Sequence, residues 1–444
     1  MKTTTERRFA HQLVDLLFDH VEGIEERPVV EWRPSHELRE LVRIDGSTAD
    51  PLALAQLVTR YAIQLHHPSY MGHQVCPPFM DAAAADLLIS VLNQSTAVWE
   101  MSPIGTVIEK EVVRWFADRV GYPESAEGTA VSGGSAANLT GLLAARARFD
   151  SLKRPLVITS ADAHYSIARA AAIMGIPAAD VLKVPTDEQH RMDVDALEET
   201  LTANEQRDDA AVLAIVATAG STATGAFDRL DEIALLRDRY RTWLHVDAAH
   251  GASVVLSESL APLALGLDRA DSFSWDPHKM LFMPLSLGTI LVREGIWLRR
   301  AFEADAPYLF NAAGPSENLG EMTIQCSKRA DAVKLWLMLK SRGVAPFVET
   351  MERVTALTRY LYDCLRESDD FEPVHEPQLN ILCFRRRGFD SEATAGLRER
   401  LVRSGRAWIT TTLLRGERVL RVTMMNPRTT RAHVEGMVDA LREL

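Results

Sequence analysis

The sequence predicts an α/β fold: a mostly parallel central sheet covered by helices, followed by a small C-terminal α+β region. Three observations carry that expectation. Past residue 120, short β-branched runs alternate with amphipathic ones: TAVSGG then SAANLTGLLAARARF, LVITS then HYSIARAAAIMG, AVLAIVATAG then DRLDEIALLRDRY, and WLHVDAA. This alternation is the βαβ signature of parallel strands joined by helical crossovers. A length of 444 residues with 47% hydrophobic content is enough for a large core. Beyond about residue 310 the rhythm changes, with long helices preceding short strands.

Taken in order, residues 8–24 place Phe9, Leu13, Leu16, Leu17 and Val21 at helical spacing, which leaves one apolar face to be covered. Pro28 and Pro34 break that helix. A helical arm of this kind packs either on its own body or on a second subunit. Residues 51–120 read as alanine-rich helices, as in FMDAAAADLLISVLNQSTAVW and IGTVIEKEVVRWFADRVG. Among them lies the polar, Pro-interrupted loop HHPSYMGHQVCPP, a type of segment that often carries ligand contacts. After the alternating region, DSFSWD and LGTILVRE read as two more strands ending near residue 293. KRADAVKLWLMLKSRG and APFVETMERVTALTRYLYDCLRE are the long helices, and NILCFRRR, RAWITTTLL and VLRVTMMN the later strands. SEATAGLRERLVRSG and the segment after Pro427 add two helices. The expected organisation is an arm over 1–50, a large domain over 51–310 and a small domain over 311–444.

Charge and cysteine usage exclude several classes. Lysine plus arginine total 49 against 61 acidic residues, a net charge of −12 spread along the chain, so nucleic acid is not an expected partner. Cys76, Cys326, Cys364 and Cys383 form no C-x-x-C pair and the histidines show no zinc spacing, so reduced thiols and no metal are expected. The N-terminal residues lack a signal-peptide core, and no stretch approaches 18 apolar residues. The expectation is a cytoplasmic protein with no membrane partner.

Three short segments carry chemistry. Ser132-Gly133-Gly134-Ser135-Ala136-Ala137-Asn138 lies between a strand and a helix, where glycines admit a close ligand and helix-start amides attract an anion. Alone it reads equally as a tight turn. In WLHVDAAHG, Asp247 ends an apolar strand at the place where open α/β sheets hold ligands, although an Asp can also simply cap a turn there. In DSFSWDPHKM, Lys279 follows a strand; a desolvated lysine there can form a Schiff base, whereas a lone one is ordinarily a solvated surface residue. The combination narrows these alternatives. A phosphate cradle, a strand-end Asp and a strand-end Lys 32 residues later are what pyridoxal 5′-phosphate (PLP) requires: an anion site, a pyridinium partner and an aldehyde partner.

The ordered segments FAHQLVDLLFDHVEGIEERPVV, HPSYMGHQV, SGGSAAN, ADAHYSIARA, ATAGSTATGAFD, HVDAAHG, ADSFSWDPHKM and VLRVTMMNPRTT extend this over nearly the whole chain. On them the chain resembles the group II PLP-dependent amino-acid decarboxylases, the fold-type I (aspartate aminotransferase-like) family of glutamate, aromatic L-amino-acid, histidine and 2,4-diaminobutyrate decarboxylases. The resemblance implies Lys279 as the Schiff-base lysine, Asp247 as the partner of the pyridine nitrogen and His164 stacked on one ring face. Ala249 would pack on the other face, and Thr218 would lie near the ring oxygen or Asp247. Gly134, Ser135 and His278 would hold or flank phosphate, with Asn138 as a further neighbour. Arg421 would meet the substrate α-carboxylate, and Tyr70, His73 and Gln74 would line the side-chain pocket. A homodimer and an amino-acid substrate are implied as well.

One departure stands out. The family's mobile loop usually carries a tyrosine that reprotonates the substrate carbon after CO2 loss, but here that stretch reads FNAAGPSENLGEMTIQCSKRAD, with no tyrosine between Tyr308 and Tyr360. The equivalent position falls within Asn318–Glu321. Three readings follow. The chain decarboxylates with another acid, such as His73, Tyr308 or a partner residue; it lets oxygen intervene and yields an aldehyde; or it performs another reaction at the α-carbon. Gly314, Pro315, Ser316 and Gly320 give the stretch the composition of a flexible lid.

Overall fold

The computed structural model describes residues 4–149, 153–303 and 317–444. The chain begins with α1 (Thr5–Glu22), α2 (Ser35–Leu41) and α3 (Pro51–Tyr61). Asp50 caps α3 through the Ala53 amide, with Pro51 in the first turn, where no amide is missed. Next come α4 (Met80–Leu92) and α5 (Pro103–Val120). The alternating region then runs β1 (Glu127–Val131), α6 (Gly134–Arg148), β2 (Arg154–Ser160), α7 (Ser166–Ile173), β3 (Val181–Val184) and α8 (Val194–Glu205). It continues through β4 (Ala210–Thr218), α9 (Leu230–Tyr240), β5 (Trp243–Asp247), β6 (Ser272–Trp275) and β7 (Gly288–Val292). After α10 (Ile296–Ala301), α11 (Ala332–Arg342) and α12 (Ala345–Arg366) come β8 (Phe371–Pro373), β9 (Ile381–Arg386) and α13 (Ser391–Ser404). Last are β10 (Thr410–Leu414), β11 (Glu417–Thr423) and α14 (Arg431–Glu443).

The fold divides into two compact units, residues 78–352 with 377–379, and residues 1–77 with 353–376 and 380–444. Contacts rather than chain order set this division. Val29 N–H donates to the Gly405 carbonyl, Met71 N–H to Trp408 and Asn426 Nδ2 to Leu65 and His67, so the N-terminal residues are stitched to the C-terminal sheet. Residues 317–352, expected with the small domain, group instead with the large unit, because Lys328 bonds Glu109 of α5 and α11 packs on α4 and α5.

In the large unit the sheet order is β1-β7-β6-β5-β4-β2-β3. Strands β2 to β6 run parallel to their neighbours, while β7 is antiparallel to both β6 and β1. The β6–β7 link has no crossover helix, so the chain turns back instead of crossing over. As a result the carboxyl ends of β1, β4, β5 and β6 open on one edge, the ligand-binding edge of such sheets. Helix α6 seals one face with Ala137, Leu142, Ala144 and Ala145 against Val131, Val157, Leu213 and Ile290. A Cβ on Gly141 would meet the His245 imidazole at 2.6 Å, so glycine is what lets α6 approach β5.

The smaller unit holds an antiparallel sheet in the order β10-β11-β9-β8, with a cluster of Val29, Val30, Tyr70, Val402 and Trp408 in its core. Elements absent from the sequence reading are α2, β3, α8, α10 and β8. Only the last of the four β3 residues is buried and β8 spans three residues, too little for a period-2 signal. The start of α8 is marked by the Asp193 cap on Asp195 and Ala196. Among the described residues, no helix is long and apolar enough to cross a membrane.

Candidate active site

Five strand ends of the large unit converge, those of β1, β2, β4, β5 and β6. After β1, Gly133 and Gly134 open α6; a Cβ at Gly134 would meet the Ala249 Cβ at 2.8 Å, and one at Gly133 would meet the His278 ring at 3.1 Å. The resulting concavity has the helix-start dipole behind it. Ser135 is exposed at the next position. After β6, Lys279 Nζ lies 3.2 Å from Asp276 Oδ2, which also accepts the Gly134 N–H at 2.9 Å. His278 donates through or accepts at Nδ1 against the Leu287 backbone, 2.8 Å from its carbonyl, and its Nε2 lies 3.5 Å from Asp276. Burial holds the His278 pKa below the ordinary range, with Asp276 opposing.

Asp247 ends β5 and is 8% exposed. Its Oδ2 accepts Asn138 Nδ2–H at 2.9 Å, and its Oδ1 accepts the Ser274 hydroxyl at 3.2 Å and the Ala249 N–H at 3.3 Å. Three donors on this buried carboxylate hold it in one orientation. Thr218 is its partner across the β4–β5 ladder. The Thr218 amide donates to Asp228 at 2.7 Å, whereas its Oγ1 is buried with no hydrogen-bond partner among the described residues. His164 follows β2, with Nδ1 2.8 Å from the Ser166 hydroxyl. Its pKa is lowered by burial, against the pull of Asp247 and with a smaller push from Lys279.

Asn138 lies one turn into α6, where its amide bonds Asp247, Ser166 and His245. Asp276, absent from the sequence reading, holds both the Lys279 ammonium and the Gly134 amide; an acid three residues before Lys279 was the available signal.

In the smaller unit, Arg421 of β11 is 7% exposed and donates from Nε to Thr410 Oγ1 at 3.1 Å. Burial lowers its pKa, while Cys383 and Tyr70 raise it. The Tyr70 ring stacks on Trp408 with centroids 6.4 Å apart, and its OH accepts the His73 N–H at 3.3 Å. Partial burial, then Arg421 and Arg398, keep the His73 pKa low. Gln74 Nε2 is buried without a partner among the described residues.

Asn318–Glu321 carries no tyrosine, and it is pinned. Asn318 Oδ1 accepts the Trp99 N–H at 2.9 Å, Gly320 N–H donates to Ala97, and Leu319 is fully buried. Gly320 therefore belongs to an anchored turn rather than to a lid. Tyr308, Gly314, Pro315 and Ser316 lie outside the described residues.

The groups present fit PLP. The glycine concavity would be filled by any Cβ, the orphaned Thr218 hydroxyl awaits an acceptor or donor, and a buried carboxylate and an amine lie at neighbouring strand ends. An open α/β sheet with this donor set at its carboxyl edge defines a PLP-dependent enzyme. More narrowly, the chain belongs to the pyridoxal-dependent decarboxylase family, whose conserved domain matches residues 56–387. It is 32% identical over 442 residues to the aromatic-L-amino-acid decarboxylase of Bacillus atrophaeus, covering 96% of this chain and 92% of that protein. Identity to the L-2,4-diaminobutyrate decarboxylase of Rhizobium meliloti (strain 1021) is 35% over 405 residues, covering 88% and 81%. The fold is similar to that of an Oryza sativa TDC crystallised with PLP and tryptamine, with a TM-score of 0.90 and 25% identity over 100% of this chain and 98% of that one. PLP is accordingly the cofactor, and the reaction class is that of a carboxy-lyase.

Proposed function

We propose that the protein is an L-amino-acid decarboxylase that releases CO2 and forms the corresponding amine, with Lys279 as its cofactor-bonding residue. The observation that carries this reading is the convergence of Lys279, Asp247, Thr218 and His164 around the Gly133–Gly134 turn in a single unit. Bound there, PLP supplies an aldehyde for the substrate amine and a ring that accepts the electron pair left behind by CO2. Asp247 would hold a proton at the ring nitrogen, His164 and Ala249 would pack the two faces, and Thr218 Oγ1 would bond the ring edge. Gly134, Ser135 and His278 hold or flank the phosphate. Lys279 Nζ, held beside Asp276, is the amine that would hold PLP through its aldehyde. Arg421 forks onto the substrate α-carboxylate and orients the bond to be broken, while Tyr70, His73 and Gln74 orient the side chain.

The absence of a tyrosine from Asn318–Glu321 supports a second reading, in which decarboxylation is coupled to oxidative deamination. There the amino acid, O2 and water give aldehyde, CO2, ammonia and hydrogen peroxide. Incubating the PLP-loaded protein with the proteinogenic amino acids, ornithine and 2,4-diaminobutyrate, and measuring CO2, amine, aldehyde and peroxide, separates the readings. Amine without peroxide is expected; aldehyde with peroxide and no amine overturns decarboxylation alone. Lys279→Ala is expected to abolish turnover and the visible cofactor band, and an unchanged spectrum overturns the Lys279 assignment.

The homodimer is also proposed. On α4 and α5, Leu88, Val91, Leu92, Ile104 and Val107 are exposed beside a 230 Å³ apolar groove, a surface that a second copy would bury. Monomeric mass by light scattering at micromolar concentration overturns this. A cytoplasmic setting agrees with four cysteines that form no disulfide among the described residues, of which Cys76 and Cys383 have thiols pushed up to about 12 by burial.

A further inference from the structure

Behind Asp247 lies a buried hydrogen-bonded chain that the proposed chemistry does not itself use. Trp243 Nε1–H donates to Ser272 Oγ at 2.9 Å, and Ser272 Oγ lies 2.8 Å from His245 Nδ1. On the other side of that ring, His245 Nε2 lies 3.0 Å from Asn138 Oδ1. The Asn138 Nδ2 group then reaches both Asp247 Oδ2 and Ser166 Oγ, each at 2.9 Å. Ser166 Oγ in turn lies 2.8 Å from His164 Nδ1, which also receives the Ser166 N–H at 3.4 Å.

Donor chemistry fixes the direction of every link. A carboxylate can only accept, so the Asn138 NH2 faces Asp247 and its carbonyl faces His245. That carbonyl demands a proton on His245 Nε2. The His245 ring is wholly buried at 0% exposure, and burial lowers its pKa to about 4 against the opposing pull of Asp247, so the ring is neutral and Nδ1 is bare. Ser272, already accepting from Trp243, gives its own hydrogen to that nitrogen. At the far end Ser166 accepts from Asn138 and gives its hydrogen to His164 Nδ1, which leaves the His164 proton on Nε2.

We propose that Asn138, locked in one amide orientation by His245, is a positioning residue that aims Asp247 and sets the tautomer of His164 together. Both amide hydrogens and the carbonyl of Asn138 are used, so one side chain orients two groups on which the proposed function relies. His245 acts through Asn138 and touches neither. The inference rests on that reading for its consequence in catalysis, but the proton order is a property of the protein alone.

The test has two arms. In protein labelled with 15N-histidine and free of PLP, NMR of the imidazole nitrogens is expected to show His245 and His164 both neutral with the proton on Nε2. A proton on Nδ1 of His245 overturns the proposal whatever PLP does. In the loaded enzyme, 15N-labelled PLP reports protonation of the ring nitrogen. Asn138→Asp places a second carboxylate against Asp247, and His245→Leu frees the Asn138 amide to flip. Each is expected to move the ring-nitrogen signal toward the unprotonated position and to lower kcat about 10–100-fold, the usual range for residues that orient a ligand-binding group, with KM changed less. His245→Gln, which keeps an N–H for the Asn138 carbonyl, is expected to restore most of the signal. Wild-type ring-nitrogen shifts and kcat within twofold in both Asn138→Asp and His245→Leu overturn the proposal. Failure of the wild-type protein to bond PLP through Lys279 instead overturns the function and leaves the histidine result standing.

Discussion

Replacing Lys328 by Met strands a carboxylate at the base of the large unit. Lys328 and Glu109 have side chains only 2% and 1% exposed, and the ammonium is bonded to both carboxylate oxygens and, at 3.2 Å, to Thr96 Oγ1. Glu109 Oε1 also accepts the Ala130 N–H at 2.7 Å and the Thr129 hydroxyl at 2.9 Å, so the same pair anchors β1 just ahead of the Gly133–Gly134 turn. In Lys328→Met the carboxylate keeps those donors but loses its cation. Breaking a buried pair in this way costs about 3–5 kcal/mol. At ~2 °C per kcal/mol for a unit of this size, the melting temperature falls by about 6–10 °C. Calorimetry of the PLP-loaded protein, with cofactor absorbance followed in parallel, reads both the loss and its effect on the cradle. Glu109→Gln combined with Lys328→Met removes both charges and is expected to recover at least half of the lost stability. A Lys328→Met shift under 2 °C, or a double variant no better than the single one, refutes the reasoning.

Gly134→Ala puts a methyl group 2.8 Å from the Ala249 Cβ, so an overpacking cost of about 1–3 kcal/mol and marked loss of PLP affinity are expected by equilibrium titration. Asp228, between the Met192 and Thr218 amides, has its pKa raised to about 6 by burial. The folded state therefore holds this proton to higher pH than the unfolded chain. The group's contribution to stability is complete below about pH 4 and is lost as pH rises through 6. Urea melts of Asp228→Asn from pH 4 to 7 are expected to show a smaller loss, or larger gain, with rising pH than wild type; parallel profiles contradict the assignment. If Arg421 holds the substrate α-carboxylate, Arg421→Met raises KM about 10–100-fold, the worth of one charged hydrogen bond, and steady-state kinetics showing an unchanged KM remove it from the site.

The groups that bear chemistry were legible because the chemistry restricts residue type. Lys279 after DPH, Asp247 at the end of an apolar strand and the paired glycines stand out even in a single chain. Their supports were not. Asn138 follows Gly134 by four residues and reads as part of the same cradle, yet α6 winds it inward beneath Asp247. Asp276 before Pro277 reads as a turn residue, and only the folded chain brings its oxygen to Lys279. Nor could the direction of β7 be read, since buried strands look equally apolar in parallel and antiparallel pairing. The pinning of Asn318–Glu321 depends on Ala97 and Trp99, more than two hundred residues earlier in the chain.

That antiparallel strand has a consequence for how the protein is made. β1 lies at the sheet edge and, among the described residues, its only strand partner is β7, with Glu127 opposite Val292 and Val131 opposite Gly288. On the ribosome, β1 emerges early but finds no ladder until more than 150 further residues have been synthesised. The glycine turn that follows β1, and the pocket it forms with Asp276 and Lys279, therefore takes shape only after residue 292 has cleared the exit tunnel. If this turn and Lys279 hold PLP as proposed, cofactor capture is a late event in biogenesis, and chains truncated before β7 are expected to retain no PLP.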